Sequence, residues 1–176
     1  MVETKQFYDD LASYYHLIFE DWDASMARQG DALTSLIGSE LGQLPAGDVR
    51  VLDIACGIGT QSLPLAARGF RVVARDLSPA AVSRLQQEAD TRQLVVNAAV
   101  ADMGQVTATV SESFDIVLAF DNSVPHLLND DDLCIAFREF LKVLRPGGVF
   151  VCSVRDYDKI KTRRTRHARK WPAPIS

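Results

Sequence analysis

The sequence predicts one α/β domain built on a doubly wound, mostly parallel β-sheet. Its 176 residues are enough for a single hydrophobic core. Beyond a turn-rich segment at residues 44–48, short apolar runs alternate with helical stretches. One run, residues 114–120, is almost continuously apolar, which is typical of a parallel strand covered on both faces. Alternating units of this kind imply right-handed crossovers between parallel strands.

The predicted elements follow from apolar spacing and from helix start and stop signals. The first 45 residues show apolar spacings of three and four, which predict two short helices that break near Asp21. Ser78 and Pro79 form a helix start. We predict strands at 49–55, 71–76, 94–98, 114–120 and 149–154, and helices at 60–68, at 79–90 and from Asp130 to a stop at 145–148.

Composition excludes several classes of protein. The chain has 19 Lys+Arg and 23 Asp+Glu, a net charge of −4. Its apolar runs are shorter than the roughly 20 residues of a membrane span, and its first residues lack the pattern of a signal peptide. We therefore expect a cytoplasmic protein with no membrane partner. Cys56, Cys134 and Cys152 are odd in number and lie in apolar sequence, which favours small buried side chains over disulfides or a metal site.

The loop after the first predicted strand carries the strongest functional signal. Gly57 and Gly59 allow a tight turn and close approach of a ligand next to a helix N-terminus; an ordinary βα turn is the alternative. Asp76 ends the second strand 19 residues after Gly57, where a carboxylate suits the two ribose hydroxyls of a nucleoside. Asp53 would repel a pyrophosphate, and Ser62 replaces the third glycine of a dinucleotide loop. A cationic nucleoside is favoured.

From residue 7 to residue 156, the chain resembles the class I S-adenosylmethionine-dependent methyltransferases. The first family motif corresponds to residues 52–59, with Ala55 in place of its first glycine. The acid of the second strand corresponds to Asp76, and the third motif resembles Asp102-Met103. The Leu-Arg-Pro-Gly-Gly turn at 144–148 matches as well. The resemblance implies a Rossmann-like sheet of order 3-2-1-4-5 and S-adenosylmethionine as cofactor, with S-adenosylhomocysteine as product.

The resemblance also implies roles for individual residues. The methionine part of the cofactor would lie on Gly57 and Gly59, and Asp53 would support its amino-acid end directly or through water. Asp76 would hold the ribose. The remaining cofactor contacts would come from Ala55, Leu77, Asp102, Met103 and Phe120. Asp102 would accept from the adenine amine, while Leu77 and Met103 would clamp the ring. A core position for Met103 and a solvated turn for Asp102 are the alternatives.

Polar residues after the fourth strand mark the expected acceptor end. An Asn-Ser pair followed by His126 is similar to the glycine and sarcosine N-methyltransferases, which implies Asn122 and His126 as catalytic residues and a small-molecule acceptor, an amine before other classes. Asp121 departs from the glycine expected before the Asn, which argues against an acceptor with an amino-acid carboxylate. A structural hydrogen bond is the alternative role for His126.

Residues 1–45 are predicted to form a helical lid over a cofactor-binding core at 46–156. Related methyltransferases use aromatic and Arg side chains in such a lid, which implies cofactor contacts for Trp22 and Arg28. A core position for the aromatic side chains and a surface position for Arg28 are the alternatives. We keep two further functions open: a non-catalytic domain that binds the cofactor, and a nicotinamide-dependent dehydrogenase.

Charge changes sharply near residue 155. Residues 1–154 carry a net charge of −10, and residues 155–176 carry +6. Residues 157–176 are predicted to be a disordered basic tail, and nucleic acid is not expected as a partner because the acidic body opposes a polyanion. The family's strands six and seven have no counterpart, which predicts a domain that is truncated at its C-terminus or frameshifted, or a natural short form. The exposed edge of strand five then predicts a homo-oligomer.

Overall fold

The computed structural model describes residues 2–42 and 44–159 and contains one five-stranded parallel sheet. The strands are β1 (Arg50–Asp53), β2 (Arg71–Asp76), β3 (Val96–Val100), β4 (Phe114–Ala119) and β5 (Leu144–Cys152). Their order is β3-β2-β1-β4-β5, and each neighbouring pair is parallel. The predicted doubly wound fold and its strand order are confirmed.

Helices cover both faces of this sheet. They are α1 (Val2–Leu11), α2 (Trp22–Leu41), α3 (Ser62–Ala67), α4 (Pro79–Thr91) and α5 (Asp130–Val143). Four short 3-10 helices lie at Tyr15–Ile18, Ala46–Asp48, Met103–Ala108 and Val124–His126. One hydrophobic cluster joins buried side chains of α2, α3 and α4 to one face of the sheet. A second cluster joins α5 and the Met103–Ala108 helix to the other face, so both faces are buried, as the apolar run of β4 predicts.

Local signals account for where the helices begin. The side chain of Asp21 accepts the backbone N–H of Ala24 at 2.9 Å and caps α2. The predicted break near Asp21 is therefore present, but α2 has 20 residues and is not short. Ser78 caps α4 through the N–H of Ala81 at 3.1 Å, with Pro79 in the first turn, as predicted.

The last strand differs most from its predicted position. It was expected at 149–154, after a turn at 145–148, whereas β5 spans Leu144–Cys152. Leu144 pairs with Phe114 and Val149 pairs with Ile116, with an irregularity between the two pairs. The Arg-Pro-Gly-Gly residues therefore form a bulge within the strand, which is where Pro and Gly are tolerated in a sheet.

Two predictions of burial are wrong. Cys56 is buried, but Cys134 and Cys152 are exposed, since Cys134 lies on the outer side of α5 and Cys152 ends the strand at the sheet edge. The apolar spacing of the sequence predicts one helix face that includes Phe140 and Leu141, but Leu141 is 70% exposed, whereas Phe140 is buried. Apolar spacing identifies the helix, but the position of the neighbouring elements decides which stripe is covered.

The amino ends of the central strands contain a paired buried carboxylate. Asp115, near the start of β4, is 6% exposed. One of its oxygens accepts the backbone N–H of Arg50 at 2.6 Å, and the other forms an ion pair with Nε of Arg145. This network ties the starts of β1, β4 and β5 together.

Among the described residues, none of the helices combines the length and apolar character needed to cross a bilayer. Most of the predicted basic tail, at residues 160–176, lies outside the described residues.

Candidate active site

A cleft that is partly open to solvent lies at the carboxyl ends of the strands. Ligand sites of doubly wound sheets occupy this position. Its floor and walls come from the segments that follow β1, β2, β3 and β4, and side chains of α1 cover it. The lining residues predicted from the sequence are Ala55, Gly57, Asp76, Leu77, Asp102, Met103, Phe120 and His126.

Asp76 is the central polar group of this cleft. One carboxylate oxygen accepts the backbone N–H of Gly57 at 2.8 Å, and the other accepts that of Ser78 at 2.9 Å. Burial raises the pKa of the Asp76 carboxyl, and these two N–H groups oppose that rise. Each carboxylate oxygen retains a second acceptor site, so Asp76 can still receive two hydroxyl donors from a ligand.

The two glycines of the β1–α3 loop differ in what surrounds them. Gly57 has φ +51° and lines the cleft, and a Cβ added there would meet nothing within 4 Å. Gly59 has φ +100°, and a Cβ there would lie 2.9 Å from Cγ of Leu63. Gly59 therefore permits close packing of the loop on α3, and Gly57 leaves the surface of the loop open to the cleft.

Asp53, at the end of β1, lies below this loop and is fully buried. Its Oδ2 accepts the hydroxyl of Ser62 at 2.7 Å, while its Oδ1 has no hydrogen-bond partner among the described residues. Burial raises the pKa of Asp53 to about 7; the Ser62 hydrogen bond lowers it, and the charges of Asp76 and Asp121 raise it further. A buried carboxylate of this kind is stabilised by a nearby positive charge.

Helix α1 forms the roof of the cleft. The Tyr8 hydroxyl and Nε2 of His126 are 2.8 Å apart, which connects α1 to the segment after β4. Asp9 accepts the Ser78 hydroxyl at 2.5 Å and the Ala80 N–H at 3.2 Å, which connects α1 to the start of α4. Burial raises the pKa of Tyr8, so Tyr8 stays protonated and can donate to His126 at neutral pH.

Near the end of β3, the cleft is lined by the apolar side chains of Leu77 and Met103 and by the polar side chain of Asp102. Asp102 caps the short helix that follows β3, since its side chain accepts the N–H of Gly104 at 2.8 Å. Met103 packs at the margin of the second hydrophobic cluster and also lines the cleft with Leu77. This position is compatible with both predicted roles of Met103, as a core residue and as a ligand contact.

Five predicted site residues do not line this cleft: Trp22, Arg28, Asp53, Gly59 and Asn122. Trp22 packs on the hydrophobic core, and its indole N–H donates to Thr60 Oγ1 at 3.0 Å. Arg28 is exposed on α2. Asn122 lies in a neighbouring cleft, where its amide donates to the Tyr157 hydroxyl at 2.7 Å. The predicted cofactor contacts of Trp22 and Arg28 stay predictions.

The sequence did not point to Tyr8 or Gln61. Tyr8, Ala12 and Tyr15 line the cleft at spacings of four and three residues, a helical signal that was available. Gln61 is 1% exposed; its amide donates to Gln29 Oε1 at 2.7 Å and to Asp121 Oδ2 at 3.2 Å. These contacts join distant parts of the chain and leave no local pattern. In the described part of the chain, His, Cys, Asp and Glu side chains form no group of three or more that could hold a metal ion.

Comparison with known proteins identifies the family. Residues 51–148, more than half of the chain, match the family model described as "Methyltransferase domain". A glycine/sarcosine N-methyltransferase of Parasynechococcus marenigrum (strain WH8102) is 31% identical over 140 residues, 80% of this chain and 48% of the relative. One from Aphanothece halophytica is 29% identical over 140 residues, 80% of this chain and 51% of the relative. The chain thus spans about half the length of these relatives.

Solved structures share the fold. An S-adenosylmethionine-dependent methyltransferase from Clostridium acetobutylicum ATCC 824 superimposes with a TM-score of 0.68 at 20% identity, over 90% of this chain and 60% of that one. Streptomyces venezuelae DesVI gives a TM-score of 0.70 at 22% identity, over 82% and 57%. Together with the family match and the geometry of the cleft, these likenesses show that the chain belongs to the class I S-adenosylmethionine-dependent methyltransferase family.

Proposed function

We propose that the protein binds S-adenosylmethionine in the cleft at the carboxyl ends of the strands and transfers its methyl group to a small-molecule amine. The observation that carries this proposal is the Asp76 carboxylate, held at the end of β2 by the N–H groups of Gly57 and Ser78. Its geometry suits two vicinal ribose hydroxyls beside a loop that leaves room for the rest of the ligand.

The residues present fit this cofactor. Among the described residues, Oδ1 of Asp53 has no hydrogen-bond partner, and the charges of Asp76 and Asp121 act on the same region, so a positive ligand gains from all three. The space above Gly57 is open. We assign the ribose to Asp76, the adenine to Leu77, Asp102 and Met103, and the methionine part to the segment from Ala55 to Gly57 together with Phe120.

When bound, S-adenosylmethionine would supply an electrophilic methyl carbon on a positively charged sulfur. The chain's contribution is alignment and exclusion of water. Tyr8, Ala12 and Tyr15 cover the cleft from the N-terminal segment. The Tyr8–His126 hydrogen bond holds this cover against the acceptor end of β4, which gives His126 a positioning role in the resting structure.

Two points support an amine as the acceptor. The relatives from Parasynechococcus marenigrum and Aphanothece halophytica are named as N-methyltransferases. A neutral amine needs no strong base to attack a sulfonium methyl group, and the segment after β4 places one carboxylate, Asp121, in the cleft, where it can attract an amine.

Isothermal titration calorimetry with S-adenosylmethionine, S-adenosylhomocysteine and NAD tests the proposal. We expect binding of both sulfur nucleosides and no binding of NAD. Binding of NAD alone would favour the dehydrogenase alternative. Binding of the sulfur nucleosides without methyl transfer to any amine would favour the cofactor-binding domain that lacks catalysis.

We also propose that the protein self-associates through the outer edge of β5. In the described part of the chain β5 pairs with β4 alone, and Leu141 of the adjacent α5 is 70% exposed. Such an edge offers unpaired backbone groups beside apolar surface. Light scattering at micromolar concentration should show a dimer or larger species, and Leu141→Lys should shift it towards the monomer. The cytoplasmic location and the absence of a nucleic-acid partner stay predictions.

A further inference from the structure

A second cleft adjoins the proposed cofactor cleft. It is also partly open to solvent. Ile18, Phe19 and Val154 give it apolar walls, and Tyr15 and Asp121 line both this cleft and the first one. Since a methyl acceptor must approach the methyl carbon in line with the breaking bond, its nucleophilic atom has to lie near the boundary that two such clefts share.

Asp121 is exposed to solvent at this boundary, and hydrogen bonds hold the backbone of its segment in place. Asp121 and Asn122 have φ +53° and +65°, a left-handed conformation that is uncommon for residues other than glycine. Three hydrogen bonds hold the segment: Asp121 N–H donates to Ser153 Oγ at 2.9 Å, the Asn122 amide donates to Tyr157, and Asn122 Oδ1 accepts the N–H of Arg155 at 3.1 Å. Strain of this kind is concentrated at functional sites.

The carboxylate itself is oriented from inside the protein. Oδ2 of Asp121 accepts a hydrogen bond from the amide of the buried Gln61, which in turn donates to Gln29 of α2. Loss of solvent raises the pKa of the Asp121 carboxyl, while the Gln61 hydrogen bond and the charge of Arg155 lower it. A cationic ligand would restore the favourable environment that this carboxylate has lost.

The cleft around Asp121 has aromatic and apolar walls and also contains one cation of the chain, Arg155. The rings of Tyr15 and Phe19 lie with their centroids 6.2 Å apart at the mouth of this cleft, and aromatic faces attract ammonium groups. Ile18 and Val154 are 56% and 55% exposed, so an apolar substituent would cover surface that water now contacts.

We propose that this second cleft is the acceptor site, and that its acceptor is a primary or secondary amine on an apolar body, with the nitrogen at Asp121. The inference rests on the proposed methyltransferase function and specifies its substrate class. Asp121 replaces the glycine expected before the Asn, so the site departs from one built for glycine or sarcosine.

The proposed step balances as follows. The ammonium form of the acceptor gives one proton to the Asp121 carboxylate, which passes it to solvent at the open mouth of the cleft. The nitrogen lone pair then forms a bond to the methyl carbon, and the carbon–sulfur bond breaks with its electron pair remaining on sulfur. The products are an N-methylated ammonium ion and the neutral thioether S-adenosylhomocysteine. No oxidant or reductant is needed.

Three probes with the same aromatic body test the substrate class: phenethylamine, phenylalanine and 3-phenylpropionate. The full chain is incubated with each and with S-adenosylmethionine labelled in its methyl group. We expect label in phenethylamine and little in the other two, because their carboxylates meet Asp121. Asp121→Asn keeps the shape and tolerates positive φ, and it should lower kcat/KM for phenethylamine at least about tenfold.

Two controls separate the possible failures. Asp48→Asn removes an exposed acid at the opposite end of the sheet and should leave kcat/KM unchanged, and calorimetry with S-adenosylhomocysteine should give the same affinity for both variants. If S-adenosylhomocysteine binds but phenylalanine or 3-phenylpropionate is the better acceptor, if no amine is methylated, or if Asp121→Asn is fully active, the assignment of this cleft is wrong. If S-adenosylhomocysteine does not bind, the proposed function itself is wrong.

Discussion

At the amino ends of the strands, both oxygens of the buried Asp115 have partners, one of them the Arg145 cation. At the carboxyl ends, one buried oxygen of Asp53 has no partner in the described part of the chain, and burial raises the pKa of Asp53 to about 7. Burial also raises the pKa values of Asp76 and Asp121. The carboxylate at the amino ends is thus paired with a cation of the chain, whereas burial raises the pKa of the three carboxylates at the carboxyl ends. The first arrangement stabilises the fold, and the second is suited to a cationic ligand.

The largest expected effect concerns Asp53 and pH. A pKa raised in the folded state means that the folded chain holds the proton more tightly, so stability is full below pH ~4 and falls as the pH rises towards 7. With a pKa of about 7, this loss approaches about 4 kcal/mol at neutral pH. Asp53→Asn should remove this pH-dependent loss of stability, even if the amide changes the stability by the same amount at every pH. Urea unfolding of both proteins between about pH 4.5 and about pH 7.5 measures how the free energy of unfolding depends on pH. Parallel pH profiles of the two proteins would contradict a raised pKa for Asp53.

The second prediction concerns the Asp115 network at the amino ends of the strands. Asp115→Ala leaves the N–H of Arg50 and the Arg145 cation without their partner, and we expect the free energy of unfolding to fall by about 3 kcal/mol. Affinity for S-adenosylhomocysteine should change little in the folded fraction, because the cleft lies at the other end of the strands. Asp48→Ala, at an exposed acid, is the matched control. Equal stability of the two variants would show that the Asp115 network is not stabilising.

Asp76→Ala tests the carboxyl end in the same way. Losing two charge-assisted hydrogen bonds to a ligand should reduce affinity for S-adenosylhomocysteine about 100-fold, or ~2.7 kcal/mol. Calorimetry gives the affinity, and urea unfolding shows whether the variant is still folded. An unchanged affinity would remove the ribose role from Asp76.

The smallest effect concerns the roof of the cleft. Tyr8→Phe removes the hydroxyl that lies 2.8 Å from His126 Nε2, and we expect about fivefold weaker cofactor binding, or ~1 kcal/mol. Tyr14→Phe removes a hydroxyl from a side chain that is 63% exposed and serves as the control. If both variants bind alike, the Tyr8–His126 hydrogen bond does not hold the roof closed.

The sequence predicts the residues at the carboxyl ends of the strands better than it predicts the contacts of the N-terminal segment that covers the cleft. The bounds of β2, with Asp76 as its last residue, were predicted correctly because an apolar run that ends in an acid is a local pattern. The contacts of Tyr8 with His126 and of Gln61 with Gln29 join residues 118 and 32 positions apart. They depend on how the N-terminal helices pack on the sheet, which local spacing does not specify. The exposure of Cys152 and Leu141 has the same cause, since burial depends on neighbours that are distant in sequence.

The two N–H groups held by Asp76 have a consequence for how fast and how tightly a ligand binds. Gly57 follows β1 and Ser78 follows β2, so one carboxylate fixes the two loops relative to each other through the chain's own hydrogen bonds. A preorganised loop pair loses little conformational entropy on association. Under the proposed function, exchange of spent for fresh cofactor would require movement of the N-terminal segment that carries Tyr8, Ala12 and Tyr15, and the opening of this segment would limit turnover.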